Sequence, residues 1–180
     1  MTIETLLQSL APVYDSANHD AEDYVTASAY AALKTELWAQ FQSIPFGVRF
    51  TVHDPYQTAD EMFSALDSGS VLQVFTLADL PADHPFTELA PNGESFNSVF
   101  RAVHDALAHY PLRNDFSMRG EFRAFQAHAR LLSPLAQWAV ATETLGQQAW
   151  LRYGPTPGEF AEQKAFLLPR VYVDTAITLD

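Results

Sequence analysis

Two histidines stand five residues apart in the run His104-Asp105-Ala106-Leu107-Ala108-His109-Tyr110-Pro111. Neutral imidazole offers a nitrogen lone pair near physiological pH and is the commonest side chain to ligate a transition metal. The chain contains no cysteine, so any bound ion must be held by His, Asp or Glu. On an ideal α-helix, residues five apart diverge by about 140°, and both rings can reach one ion only where the helix ends. Pro111 supplies that ending, because it lacks an amide hydrogen and pushes the residue before it out of helical geometry.

A third ligand is expected from Glu143, in Ala141-Thr142-Glu143-Thr144-Leu145-Gly146, which follows His109 by 34 residues (143 − 109). That length lets one intervening helix return the chain to the histidines. Glu143 is flanked by Trp138, Val140 and Leu145, and a carboxylate in apolar surroundings is costly unless a cation or hydrogen-bond donors meet it. Two imidazoles and one carboxylate form a facial triad with open positions, the usual site of non-haem Fe(II) oxygenases, and zinc hydrolases use the same ligand types. Glu121 and His128 are seven residues apart, two helical turns, so both fall on one helix face. They are expected, with Asp105, to support the ion's ligands or act on substrate. The plain alternatives are ordinary buried histidines at 104 and 109, and Glu143 paired with Arg123, Arg130 or Arg152. For Glu121 and His128 the alternative is a solvated helix face.

The segment from His104 to Leu112 resembles the iron-binding segment of the pterin-dependent aromatic amino acid hydroxylases, which reads His-Glu-Leu-Leu-Gly-His-Val-Pro-Leu. Both histidines, the acid after the first and the Pro111-Leu112 pair coincide. Thr142-Glu143-Thr144-Leu145-Gly146 is similar to the Thr-Val-Glu-Phe-Gly that carries the family's third ligand. The resemblance implies Fe(II) bound by His104, His109 and Glu143. It spans roughly residues 96–150, and the family's pterin-binding and amino-acid-binding segments have no counterpart here, so pterin dependence is not carried over. The pattern Phe100-Arg101-Ala102-Val103-His104-Asp105, Gly120-Glu121, Thr142-Glu143-Thr144 and Glu162-Gln163-Lys164-Ala165 also looks like domains encoded in bacteriophage genomes.

The elements that must hold these residues are mostly helical. From Thr26 to Ile44, Tyr30, Leu33, Leu37, Trp38 and Phe41 recur at steps of three and four, predicting a helix closed by Pro45. Phe46 to Val52 alternates as a half-buried strand, Val71 to Phe75 offers a second strand, and Thr58 to Leu66 a short helix between them. Pro81, Pro85 and Pro91 mark residues 78–94 as a surface loop. Helices are expected over Phe96 to His109, Met118 to Leu132, Leu135 to Leu151 and Glu159 to Leu168, with Ser133-Pro134 and a Gly154-Pro155 loop as breaks. The expected class is mainly α with a small β-sheet (α+β), one domain over 1–180. It comprises an N-terminal segment (1–25), a helix with the small sheet and loop (26–95), and a helical metal-binding core (96–168).

Composition narrows the function. At 180 residues with 48% apolar content the chain can build a core, and 22 acidic against 10 basic residues give a charge of −12, which repels nucleic-acid phosphate. No basic and apolar leader and no long apolar run precede the first helix, so a cytoplasmic protein without membrane segments is expected. A Gly-Lys-Ser/Thr phosphate loop and a Gly-x-Ser-x-Gly elbow are both missing. Three readings follow. The leading one is an Fe(II)-dependent oxygenase or hydroxylase acting on a small or aromatic substrate; the second is a zinc hydrolase with Glu121 or Asp105 as general base. The third is a non-enzymatic phage accessory domain whose acidity meets a basic protein partner.

Overall fold

The computed structural model describes residues 1–76 and 80–179, so the Ala78 and Asp79 positions of the expected surface loop lie outside the described residues. The first helix, α1 (Ile3–Ser16), starts where the Thr2 hydroxyl accepts the Thr5 amide, and α2 (Tyr24–Gln42) starts on the Asp23 carboxylate, which accepts the Val25 and Thr26 amides. Such caps satisfy amides that the first helical turn leaves without partners. One face of α2 buries Thr26, Ala29, Tyr30, Leu33 and Leu37, and Tyr30, Leu33 and Leu37 belong to the stripe visible in the sequence. β1 (Val48–Thr51) and β2 (Leu72–Phe75) form a two-stranded sheet. They pair in parallel, Val48 opposite Leu72, which α3 (Ala59–Asp67) makes possible by returning the chain between them.

The second half runs α4 (Phe96–His104), α5 (Met118–Ala129), α6 (Pro134–Ala141), α7 (Gln147–Tyr153) and α8 (Arg170–Thr178). Two wide π turns are built into it. Asp105–His109 continues α4, and Thr142–Gly146 joins α6 to α7. The main core gathers Leu6, Leu10, Tyr14, Leu33, Phe86, Val103, Phe125 and Leu145 among α1, α2 and the second-half helices. A smaller core of Met62, Leu66, Leu72, Val74, Ala102 and Ala106 seats the sheet and α3 against α4. The protein is therefore mainly α with a small β-sheet in one domain. Among the described residues no helix is long and apolar enough to cross a membrane.

The expected helix over Glu159 to Leu168 is absent; that stretch is non-helical and α8 begins only at Arg170. Its polar backbone is met by distant partners instead of by an i to i+4 ladder. Ala165 donates its amide to His19 Nδ1 and accepts the Asp20 amide. The carbonyls of Glu162, Phe166 and Leu168 accept from Tyr14, Thr142 and Trp138. Apolar periodicity cannot see such partners, since they arrive only with the tertiary fold. Gly146, in the second π turn, lets Tyr14 approach closely, because a Cβ there would sit 2.7 Å from the Tyr14 ring.

Candidate metal centre

The π turn resolves the angular problem of two histidines five residues apart. The Tyr110 amide donates to the Asp105 carbonyl, an i to i+5 bond of 3.0 Å, so the turn holds one residue more than an α-turn. Residues five apart then stack much as residues four apart do on an α-helix. The His104 and His109 rings consequently meet edge to face with centroids 4.8 Å apart. The end of the helix is tied down by Asn114, whose side chain donates to the Ala108 carbonyl at 2.8 Å and whose amide donates to the His109 carbonyl at 3.0 Å.

The carboxylate that joins them is Glu121. Its Oε2 lies 3.6 Å from His109 Nε2 and 3.9 Å from His104 Nε2, and the three ligand atoms lie within 4.8 Å of one another. These separations are too long for good hydrogen bonds. Donor atoms about 2.1 Å from one ion stand a little over 3 Å apart, so a slight closing of the three would form a coordination sphere. His109 is already oriented for it. Its Nδ1 lies 2.8 Å from the Asn114 carbonyl, which can only accept, so Nδ1 carries hydrogen and Nε2 presents a lone pair towards Glu121.

Electrostatics in the metal-free protein agree with a site made for positive charge. Burial works against the Glu121 carboxylate, but the two imidazoles outweigh it and hold its pKa down at about 2. Burial likewise disfavours protonated His109, yet Glu121 and Asp105 raise its pKa above the ordinary value. His104 goes the other way, lowered by burial despite Glu121. When the His109 ring is protonated, the added hydrogen sits on Nε2, the atom that otherwise offers its lone pair towards Glu121.

Of the expected site residues, His104, His109 and Glu121 come together. His128 sits behind them, its Nδ1 3.2 Å from His104 Nδ1, and Phe100 stacks on both rings. Asp105 borders a cavity beside His104. Burial raises its pKa to about 6, with His109 and Arg101 pulling down and Glu121 pushing up.

Glu143, the expected third ligand, is not in the group that His104, His109 and Glu121 form among the described residues. It lies 4% exposed in the second π turn, where the Tyr30 hydroxyl donates to Oε1 and the Gln147 amide to Oε2 at 3.1 Å. His84 Nε2 lies 3.2 Å from Oε1, off the line of a straight hydrogen bond. Because His84 Nδ1 accepts the Phe86 amide, that Nε2 is the ring's N–H. Two hydrogen-bond donors, Tyr30 and Gln147, meet this buried carboxylate, with the His84 N–H close by, as a buried carboxylate requires. Tyr30 was legible only as part of an apolar stripe, and His84, Asn114 and Gln40 carried no sequence signal for these roles, since each acts through a tertiary contact.

Gly120 places Glu121. A Cβ there would fall 2.0 Å from the Asp115 carbonyl oxygen and 2.7 Å from its carbon, so only glycine lets the first turn of α5 lie against that backbone. Gly120→Ala must displace the start of α5. It is expected to cost about 1–3 kcal/mol, lowering Tm by roughly 5 °C, and to weaken Zn2+ binding because Glu121 moves with it. An unchanged melting curve together with unchanged Zn2+ titration would refute this account of Gly120.

The cavity on the outer side of His104 has a volume of about 170 Å³ and is walled by Tyr56, Phe75, Phe100, Arg101, Asp105 and Phe116. Phe116 also meets the His109 ring edge to face at 5.3 Å, so one wall of the cavity packs on the second imidazole. Arg101 donates to the Phe75 carbonyl at 3.0 Å and lies over the Phe75 ring. The arrangement is a two-histidine, one-carboxylate cluster on a helical scaffold beside a small, largely aromatic cavity. Compared with protein-family models, curated proteins and solved structures, the chain matches none.

Proposed function

We propose that this protein is a mononuclear metal enzyme of the non-haem iron type, an oxygenase or hydroxylase for a small, single-ring substrate, with His104, His109 and Glu121 as the metal ligands. The observation that carries the reading is the convergence of two imidazole Nε2 atoms and one carboxylate oxygen within 4.8 Å. Neutral imidazole and carboxylate suit Fe(II), and three protein ligands leave positions open. The likeness of the His104 to Leu112 segment to the hydroxylases supports the two histidines, while the carboxylate comes from α5 instead of the later helix. The ion, when bound, supplies the oxidative or Lewis-acid chemistry.

The remaining residues have separate tasks. Tyr56, Phe75, Phe100 and Phe116 give the cavity beside His104 an aromatic wall for a ring to pack on. Its volume of about 170 Å³ compares with the roughly 150 Å³ that holds a benzene in an engineered cavity, so one ring with small polar substituents fits. Asp105, with its raised pKa, can take or give a proton at the cavity wall near neutral pH. That same feature favours the second reading, a zinc hydrolase with Asp105 as general base. The lack of cysteine suits work in a reducing cytoplasm.

Elemental analysis of the purified protein, followed by anaerobic Fe(II) loading and an oxygen electrode with simple phenols and ascorbate as the two-electron donor, tests the proposal. About one iron per chain and phenol-dependent oxygen uptake are expected. Stoichiometric zinc with no oxygen uptake after iron loading would overturn the oxygenase reading in favour of the hydrolase. Failure to bind either ion would overturn both.

A further inference from the structure

Behind His104 a chain of side chains runs outward from the candidate metal centre. His104 Nδ1 lies 3.2 Å from His128 Nδ1, His128 Nε2 lies 3.1 Å from Gln40 Oε1, and Gln40 Nε2 donates to the Leu131 carbonyl at 3.2 Å. His128 is fully buried and His104 nearly so. We infer that Gln40 and His128 are positioning residues that determine which nitrogen of His104 faces Glu121; the consequence for ligation rests on the metal reading above.

The argument is one of donors and acceptors taken in order. The Leu131 carbonyl can only accept, so the NH2 end of the Gln40 amide points to it and the amide oxygen points to His128. An amide oxygen also only accepts, so His128 Nε2 carries hydrogen. A second hydrogen on His128 would place an imidazolium in a fully buried position with no carboxylate among its hydrogen-bond partners, which desolvation opposes. His128 Nδ1 is therefore a lone pair. Two lone pairs cannot face each other at 3.2 Å in a buried contact, so His104 Nδ1 supplies the hydrogen between them. Neutral His104 then has its lone pair on Nε2, the atom on the Glu121 side. Outer hydrogen bonds of this kind commonly set the tautomer and direction of a metal-bound imidazole. Here the relay is anchored on a backbone carbonyl that cannot change role. Asn114 does for His109 with one carbonyl what Gln40 and His128 do for His104 in two steps.

Reversing the relay tests it. Gln40→Lys replaces the terminal acceptor by a donor, so His128 Nε2 must accept, His128 Nδ1 must donate and the His104 hydrogen moves to Nε2, between the ring and Glu121. Gln40→Glu keeps an acceptor at the same place. Nitrogen-15 NMR of the metal-free full chain at pH 8 reads the tautomers directly. Wild type is expected to show His104 protonated at Nδ1 and His128 at Nε2, with both reversed in Gln40→Lys, while Gln40→Glu keeps His128 Nε2 protonated. Zn2+ titration against a competing chelator should give Gln40→Lys an affinity about 10-fold to 100-fold weaker, and Gln40→Glu an affinity near wild type. Wild-type His104 protonated at Nε2, or tautomers unmoved by Gln40→Lys, would overturn the relay, and reversed tautomers with unchanged Zn2+ affinity would overturn its role in ligation. A wild type that binds no Zn2+ would instead overturn the metal reading, while the tautomers still decide the relay.

Discussion

Glu121→Ala is expected to abolish binding of Zn2+ or Fe(II) while leaving the protein folded. The carboxylate is the single anionic donor beside His104 and His109 among the described residues, so its removal should weaken binding by more than about 100-fold, beyond what loss of an outer hydrogen-bond partner costs. Thermal melts with and without Zn2+ make the effect visible. At a free ion concentration about 100 times Kd, binding stabilises a protein by roughly 2.7 kcal/mol, which for a chain of this length raises Tm by about 5–10 °C. Wild type should show that rise and Glu121→Ala none. A Zn2+-induced rise that survives in Glu121→Ala would remove Glu121 from the ligand set.

The same experiment has a pH dependence whose sign follows from the groups involved. Glu121 has its pKa lowered in the fold from 4.5 to about 2, so its stabilising contribution is present above 4.5 and fades as pH falls towards 2. His109 has its pKa raised from 6.5, so its contribution is present below 6.5 and is lost as pH rises through the raised value. The proton and the metal compete for the same place. The Zn2+-induced rise in Tm should therefore be larger at pH 8 than at pH 6, and the reverse order would contradict a proton held on His109.

Glu143→Ala should do the opposite of Glu121→Ala, leaving Zn2+ binding in place and undermining the fold. It strips the acceptor from buried Tyr30 and half-buried Gln147 and the nearest anion from buried His84. Removing one partner from a buried charged cluster costs about 3–5 kcal/mol, or roughly 10 °C or more in Tm. Pairing Glu143→Leu with Tyr30→Phe should cost less than the sum of the two separate changes, because the second removes a donor the first leaves unsatisfied. A Glu143→Ala protein with wild-type Tm and no Zn2+-induced rise would return Glu143 to the role of ligand.

These two acids show where sequence reading succeeds and stops. Helices α2 and α4 follow from apolar spacing with Pro45 and Pro111 beyond their ends, Ser133-Pro134 marks the break before α6, and the first strand follows from alternation. All are local signals carried by residues within a few positions of one another. The two histidines were also legible, through their type, their spacing and Pro111. The choice between Glu121 and Glu143 was not. Both acids sit on helices with apolar neighbours, and what separates them is the company each finds: two imidazole lone pairs for one, a phenol and an amide for the other.

The amino-acid sequence by itself determined the helical class, the small sheet between Val48 and Phe75, the acidic charge and the pair of imidazoles at one helix end. Those features depend on periodicity, composition and chain-breaking residues, which act over a turn or two of backbone. Only the tertiary structure decided that the helix widens into a π turn at Asp105, that Glu121 faces the rings, and that Gln40 reaches His128 from 88 residues away. It also decided that residues 159–168 stay non-helical. The physical reason is that a buried polar atom must find a partner wherever the fold offers one, and the identity of that partner is a property of packing that no local pattern encodes.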